Sequence, residues 1–356
     1  MELLNIGLVG FGYAGQTFHA PLIRATPGLN LSAVASSDPA KVIAALGGSV
    51  RVVAPQALIR DEGIDLAVIA TPNDQHAPLA LAALRAGRHV VIDKPFALNV
   101  EEAEELIRAA TRGQRLLSVF HNRRWDSDFL TLQQVVASGR LGRPVELVSH
   151  FDRFRPQVRK RWREGCGPGA GLWMDPGPHL VDQALQLFGK PSAIALDLAA
   201  KRDGALSDDW FHAQLRWTEG PHAGLRAHLH ASMLAARPGS RFTLHGTAGS
   251  FTVEGLEPQE NMLKAGPSPE RISDPSWGMD TRRATLWRSD GGDAVGEAVP
   301  LSPGSYPRYY AAIRDAIHAG GECPVTAAEA LWVQIVLDAG KQSVQERREI
   351  ILPFDD

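Results

Sequence analysis

The stretch Gly10-Phe11-Gly12-Tyr13-Ala14-Gly15 decides the fold. It follows the apolar run 4–9 and opens a segment, 14–25, with the alanine and leucine spacing of an amphipathic helix. The order strand, glycine turn, helix begins a βαβ unit, and the Gly-x-Gly-x-x-Gly spacing has a mechanism. Gly10 permits the tight turn, Gly12 lets the backbone approach a pyrophosphate with no Cβ in between, and Gly15 lets helix and strand pack closely. The first N–H groups of the helix then face the phosphates. Three glycines alone could be a structural turn. The strand before, the helix after and a second strand on schedule favour the dinucleotide reading.

Working outward, short Val/Ile/Leu-rich runs at 31–35, 50–53, 65–70, 89–92 and 116–120 follow the first, with helical spacing at 75–86 and 100–112. Near-continuous apolar strands separated by helices predict a doubly wound parallel sheet covered on both faces, the α/β class. Gly87 and Gly113 stand where C-terminal caps belong. After His121 the pattern changes, which predicts a dinucleotide-binding domain over 1–121 and a second α/β domain over 122–356. In the second, a helix at 127–138 precedes a strand at 144–151. The run Leu225-Arg226-Ala227-His228-Leu229-His230-Ala231-Ser232 then alternates with a period of two, as in an open, mostly antiparallel sheet. His228 and His230 fall on its polar side. The stretch 257–304, rich in Gly, Pro, Ser and Asp, reads as long loops, and helices at 306–319 and 327–346 close the chain.

Composition narrows the class. The chain has 356 residues, 44% hydrophobic and 22% charged, with a formal charge of −3, which argues against disorder and against nucleic acid as a partner. Cys166 and Cys323 lie far apart, without a Cys-x-x-Cys pair, so neither a disulfide framework nor a structural zinc is expected. With no secretory signal pattern after Met1 and no apolar run of the ~20 residues a bilayer needs, a cytoplasmic location without membrane contact is expected.

Choice between cofactors falls to Ala35-Ser36-Ser37-Asp38-Pro39. Asp38 lies 23 positions past Gly15, where an acidic residue can hold the adenosine ribose and favour NAD. Asp-Pro is equally a helix start, with Asp38 as N-cap. In that case Ser36 and Ser37 meet the 2′ position, where hydroxyl donors tolerate a phosphate, and Lys41 supplies a counter-charge. NADP is therefore expected, with NAD as the alternative.

Two further constellations carry chemistry. The fourth and fifth strands end in Thr71-Pro72-Asn73-Asp74-Gln75-His76 and Asp93-Lys94-Pro95, at the carboxyl edge where such sheets bind ligands. A lysine there can exchange a proton with substrate, or can merely snorkel to solvent. Farther on, Asp175-Pro176-Gly177-Pro178-His179-Leu180-Val181-Asp182 leads into a helical run, with spacings of four and three that set Asp175, His179 and Asp182 near one stripe. Two carboxylates beside one histidine suit proton transfer. A single histidine without an obvious third ligand argues against a metal.

These motifs together resemble the glucose-fructose oxidoreductase / inositol dehydrogenase family, Gfo/Idh/MocA. The segments His121-Asn122-Arg123-Arg124-Trp125-Asp126, Phe154-Arg155-Pro156 and Arg161-Trp162-Arg163-Glu164 are similar to the bacterial branch that includes NADP-dependent scyllo-inositol dehydrogenase. The resemblance spans nearly the whole chain. It implies a Rossmann domain, a second domain whose open sheet forms a homodimer or homotetramer interface, and hydride transfer between a nicotinamide and a carbinol carbon of a sugar or polyol. By the same resemblance Lys94, Asp175 and His179 are catalytic, Asp182 binds substrate hydroxyls, and Asn122, Trp162 and Arg163 join the cofactor residues. Arg153 and Arg155 fall where relatives place substrate contacts. The family's usual glutamate before Lys-Pro is Asp93 here. A dinucleotide-binding sensor, or a hydrolase or isomerase that keeps its cofactor bound, remains an alternative on the same fold.

Overall fold

The computed structural model describes residues 3–289 and 291–353. The chain packs into two compact units. One holds residues up to Trp125 with Pro258–Gly278 and Ser305–Leu331; the other holds Asp126–Glu257, Met279–Gly304 and the chain from Trp332 on. Each has its own apolar core. Three segments of the chain make up each unit.

In the first unit, β1 (Leu4–Val9), β2 (Leu29–Ala35), β3 (Arg51–Val53), β4 (Leu66–Ile69), β5 (His89–Ile92) and β6 (Leu117–Val119) form a parallel sheet in the order β3-β2-β1-β4-β5-β6. The order turns back between β1 and β4, which opens a crevice at their carboxyl ends. Helices α1 (Ala20–Ala25), α2 (Pro39–Leu46), α3 (Pro55–Arg60), α4 (His76–Arg85) and α5 (Val100–Gly113) make the crossovers. The helix expected over 14–25 begins with a wide π turn, Gly15–His19, in which the Ala20 N–H reaches back to the Gly15 carbonyl. Gly113 is not the cap of α5. Gln114 takes the left-handed position at φ 50°, with Gly113 as the last helical residue.

The second unit is built on a nine-stranded sheet. Its strands are β7 (Pro144–His150), β8 (Ala193–Ala199), β9 (Trp210–Arg216), β10 (Arg226–Ser232), β11 (Phe242–Gly246), β12 (Gly249–Val253), β13 (Arg283–Arg288), β14 (Val295–Pro300) and β15 (Ile350–Ile351). All neighbours pair antiparallel except β7 and β10, which run parallel with His150 beside His230. Leu147, Leu229, Phe211 and Leu244 point to the face covered by α6 (Ser127–Ala137) and α7 (Gly177–Phe188). The opposite face carries the polar alternates.

The loop reading of 257–304 is corrected. That stretch contains α8 (Gln259–Lys264), α9 (Pro269–Ser273), β13 and β14. Each of these elements is six residues or fewer, so no window is long enough to show a period. The closing helices are α10 (Pro307–Ala319) and α11 (Ala327–Glu346). No helix among the described residues is long and apolar enough to cross a membrane.

Candidate functional site

The glycines of the first turn do distinct work. Gly10 sits at φ +102°, and a Cβ there would run into the Ala70 carbonyl; one on Gly15 would strike the Gly10 carbonyl. Gly12 differs, since a Cβ on it would meet nothing within 4 Å. The turn is tight on its protein side and open at Gly12, the cradle a Cβ would fill and a pyrophosphate fits. Gly12 accepts the Gln16 N–H at 3.0 Å, which starts the helix behind it. Ala14 enters that helix in helical geometry, and Tyr13 donates from its hydroxyl to Glu260 at 2.7 Å.

At the end of β2, Asp38 is the N-cap of α2, its carboxylate accepting the Lys41 N–H at 3.0 Å with Pro39 first in the helix. Ser36 accepts the Asp38 N–H at 3.1 Å, and Ser37 is exposed. The Lys41 ammonium donates to the Phe11 carbonyl at 3.0 Å, so the residue that could face a 2′-phosphate is tied to the glycine turn.

The ends of β4 and β5 are joined by one side chain. His76, buried, has Nε2 3.0 Å from the Thr71 carbonyl and Nδ1 2.9 Å from the Pro95 carbonyl. Thr71-Pro72-Asn73 and Asp93-Lys94-Pro95 are thus held together, with the Lys94–Pro95 peptide cis. Thr71 Oγ1 is buried and makes no hydrogen bond, a free polar atom at the edge where a cofactor would lie. Asn73, just after β4, and Asn122, just after β6, are buried.

Asp93 is buried and accepts the Lys94 N–H at 3.0 Å. Burial opposes its charge, yet contact with His19 and the fields of His19, Lys94 and His76 outweigh that and hold Asp93 below the usual aspartate range. His19 Nε2 stands 3.6 Å away, with the Tyr310 hydroxyl 2.6 Å from its Nδ1. Neither His19 nor Tyr310 was singled out from sequence. The available signal was a histidine inside the apolar run Phe18-His19-Ala20-Pro21-Leu22-Ile23.

In the second unit, Asp175 ends the turn before α7, while His179 and Asp182 lie on that helix three residues apart and are both buried. Trp173 locks this turn: its indole donates to the Leu337 carbonyl at 3.0 Å and its N–H to Asp208 at 2.7 Å. Arg163 approaches Asp175 at 3.6 Å and stacks on Trp162, its guanidinium 4.5 Å from the ring. Arg153 and Arg155 follow β7 and are tied by their N–H groups to Ser232 and Met233. The segment carrying these residues has an anchor that sequence reading missed. Buried Arg202 pairs with Asp209 at 2.8 Å and Glu164 at 3.0 Å, and donates to the Arg155 and Gln157 carbonyls.

Residues 4–121 match the model of an oxidoreductase family's NAD-binding Rossmann fold, and 133–352 match its C-terminal alpha/beta domain. The oxidoreductase YdgJ of Escherichia coli (strain K12) is 50% identical over 98% of this chain and 99% of its own length. The scyllo-inositol 2-dehydrogenase (NADP(+)) IolW of Bacillus subtilis (strain 168) is 35% identical over 99% of this chain and 97% of its own. Among solved structures, the Yersinia pestis oxidoreductase YPO2259 superposes with a TM-score of 0.91 at 47% identity, covering 100% of this chain and 98% of that one.

Proposed function

The chain belongs to the Gfo/Idh/MocA oxidoreductase family, and on that premise we propose that it moves hydride between NADP and a carbinol carbon of a sugar or inositol-like polyol. NAD is the second-choice cofactor. The carrying observation is a set of proton-handling groups at one turn: buried His179 and Asp182 on one stripe of α7, with half-buried Asp175 just before it. The name of the IolW relative supports both the polyol and the NADP.

Gly10 to Gly15, with Ser36, Ser37, Lys41, Thr71, Pro72, Asn73, His76, Asp93, Pro95, Asn122, Trp162 and Arg163, would hold the dinucleotide, which supplies the hydride acceptor or donor. Lys94 or His179 takes the hydroxyl proton as the carbon is oxidised, and Asp175 orients the imidazole. Asp182, Arg153 and Arg155 bind substrate oxygens. In this reading the enzyme works in the cytoplasm as a homodimer or homotetramer assembled through the second sheet.

Absorbance at 340 nm, followed over a panel of inositols and sugars with each cofactor, tests this. A turnover that falls by about 10² to 10⁴ in Lys94→Ala and in His179→Ala, with dinucleotide binding retained, is expected. Tight dinucleotide binding with no absorbance change across the panel would remove the dehydrogenase reading in favour of a sensor.

A further inference from the structure

The polar face of the nine-stranded sheet carries a row of imidazole side chains. The parallel pairing of β7 and β10 sets His150 beside His230, and the antiparallel pairing of β10 and β9 sets His230 beside His212. The rings of His150 and His230 are 5.0 Å apart. Two residues past His150, just beyond the strand, Asp152 turns its carboxylate under both rings. Its Oδ2 lies 3.0 Å from His150 Nδ1, and its Oδ1 lies 3.6 Å from His230 Nε2.

Asp152 is buried, its side chain only 4% exposed. Oδ2 accepts from His150 and, at 3.3 Å, from the Gly239 N–H, but Oδ1 is shielded from solvent and makes no hydrogen bond. A buried carboxylate oxygen without a donor is costly unless something cationic meets it. Gly239 contributes by what it lacks, since a Cβ there would stand 2.9 Å from His150 Nδ1.

We propose that His150, Asp152 and His230 form a binding site for one divalent transition-metal ion of the zinc type, on the sheet face away from α6 and α7. One donor atom from each residue lies within 4.8 Å of the other two. Metal bonds of ~2.0 to 2.1 Å at tetrahedral angles place donors roughly 3.4 Å apart; His150 Nδ1 lies 3.0 Å from Oδ2 and His230 Nε2 3.6 Å from Oδ1, so a turn of the one carboxylate brings an oxygen to such distances from both rings. Two imidazoles and one carboxylate are borderline ligands, suited to zinc, cobalt or iron rather than calcium or magnesium. His230 contacts the Phe211 backbone, the kind of outer partner that orients a metal-binding ring. Binding displaces the proton shared between His150 and Asp152, and three protein donors leave a fourth position to water. The ion would clamp β7 to β10.

The test uses untagged, purified chain, stripped with chelator and titrated with Co²⁺ alone. Expected are one equivalent per chain, visible d–d absorption of four-coordinate cobalt, two hyperfine-shifted imidazole signals and a raised Tm. His150→Asn, Asp152→Asn and His230→Gln should each weaken binding by about 100-fold or more, while His228→Gln leaves it unchanged. The absence of saturable cobalt absorption below millimolar Co²⁺ would overturn the proposal, as would binding that survives all three substitutions. If a variant fails to fold, the two shifted imidazole signals of the unsubstituted chain decide the question, and finding none overturns it.

Discussion

His19 and Asp93 face each other across 3.6 Å, with His19 fully buried and the Asp93 side chain 7% exposed. One belongs to the helix after the glycine turn and the other to the end of β5, so this pair ties the two loops that the proposed chemistry needs. Removing one member leaves a buried charge or a cavity behind. His19→Ala should cost about 3 kcal/mol in urea unfolding, and the double variant with Asp93→Asn should cost less than the sum, with a coupling of about 1 to 3 kcal/mol. Strict additivity would mean that the two residues do not act as a pair.

The glycine turn separates folding from binding. Gly10→Ala should destabilise the chain, because it forces a Cβ against the Ala70 carbonyl at φ +102°. Gly12→Ala has open space around it, so its Tm should stay near that of the parent while dinucleotide affinity falls about tenfold or more. Calorimetry for stability and fluorescence titration with NADPH for binding would read both, and equal affinities for Gly12→Ala and the parent would place the pyrophosphate elsewhere.

Lys41 is the exposed cation tied to the Phe11 carbonyl. If it meets a 2′-phosphate, Lys41→Ala should raise KM for NADP by about 5- to 30-fold, the worth of ~1 to 2 kcal/mol, and leave KM for NAD nearly unchanged. Parallel losses with both cofactors would assign Lys41 to the turn alone.

Acid stability should depend on Glu260. Burial would raise its pKa, but Arg123 at 2.9 Å, Lys264 at 2.8 Å and the Tyr13 hydroxyl hold it at about 2, against an ordinary value of 4.5. Because the folded pKa is depressed, this carboxylate's contribution is complete above pH 4.5 and is lost as pH falls toward 2. The shift corresponds to ~3 kcal/mol, an upper figure for a group that keeps some solvent contact. Urea midpoints from pH 6 to 2.5 should fall more steeply for the parent than for Glu260→Gln, and identical slopes would contradict the assignment.

What could be read from sequence had a short period or a local spacing. The alternation of apolar runs and helices placed all six strands of the first sheet within a few residues, because a strand buried on both faces must be apolar almost throughout. The alternation at Leu225–Ser232 revealed which side of β10 is covered, for the same reason. Helices α8 and α9 and strands β13 and β14 escaped notice because each is six residues or fewer, too short to show a period, so tertiary packing rather than propensity holds them.

By itself, the order of residues determined the class of fold, the family and the turn at Gly10 to Gly15, since each rests on neighbours in the chain. Only the tertiary structure could bring Tyr310 to His19, Glu260 to Tyr13, Arg202 to Glu164, or Asp152 beneath His150 and His230. Those contacts follow from strand register and from which segments return to which sheet, and the free energy that selects them comes from burying whole faces, to which any single residue adds little.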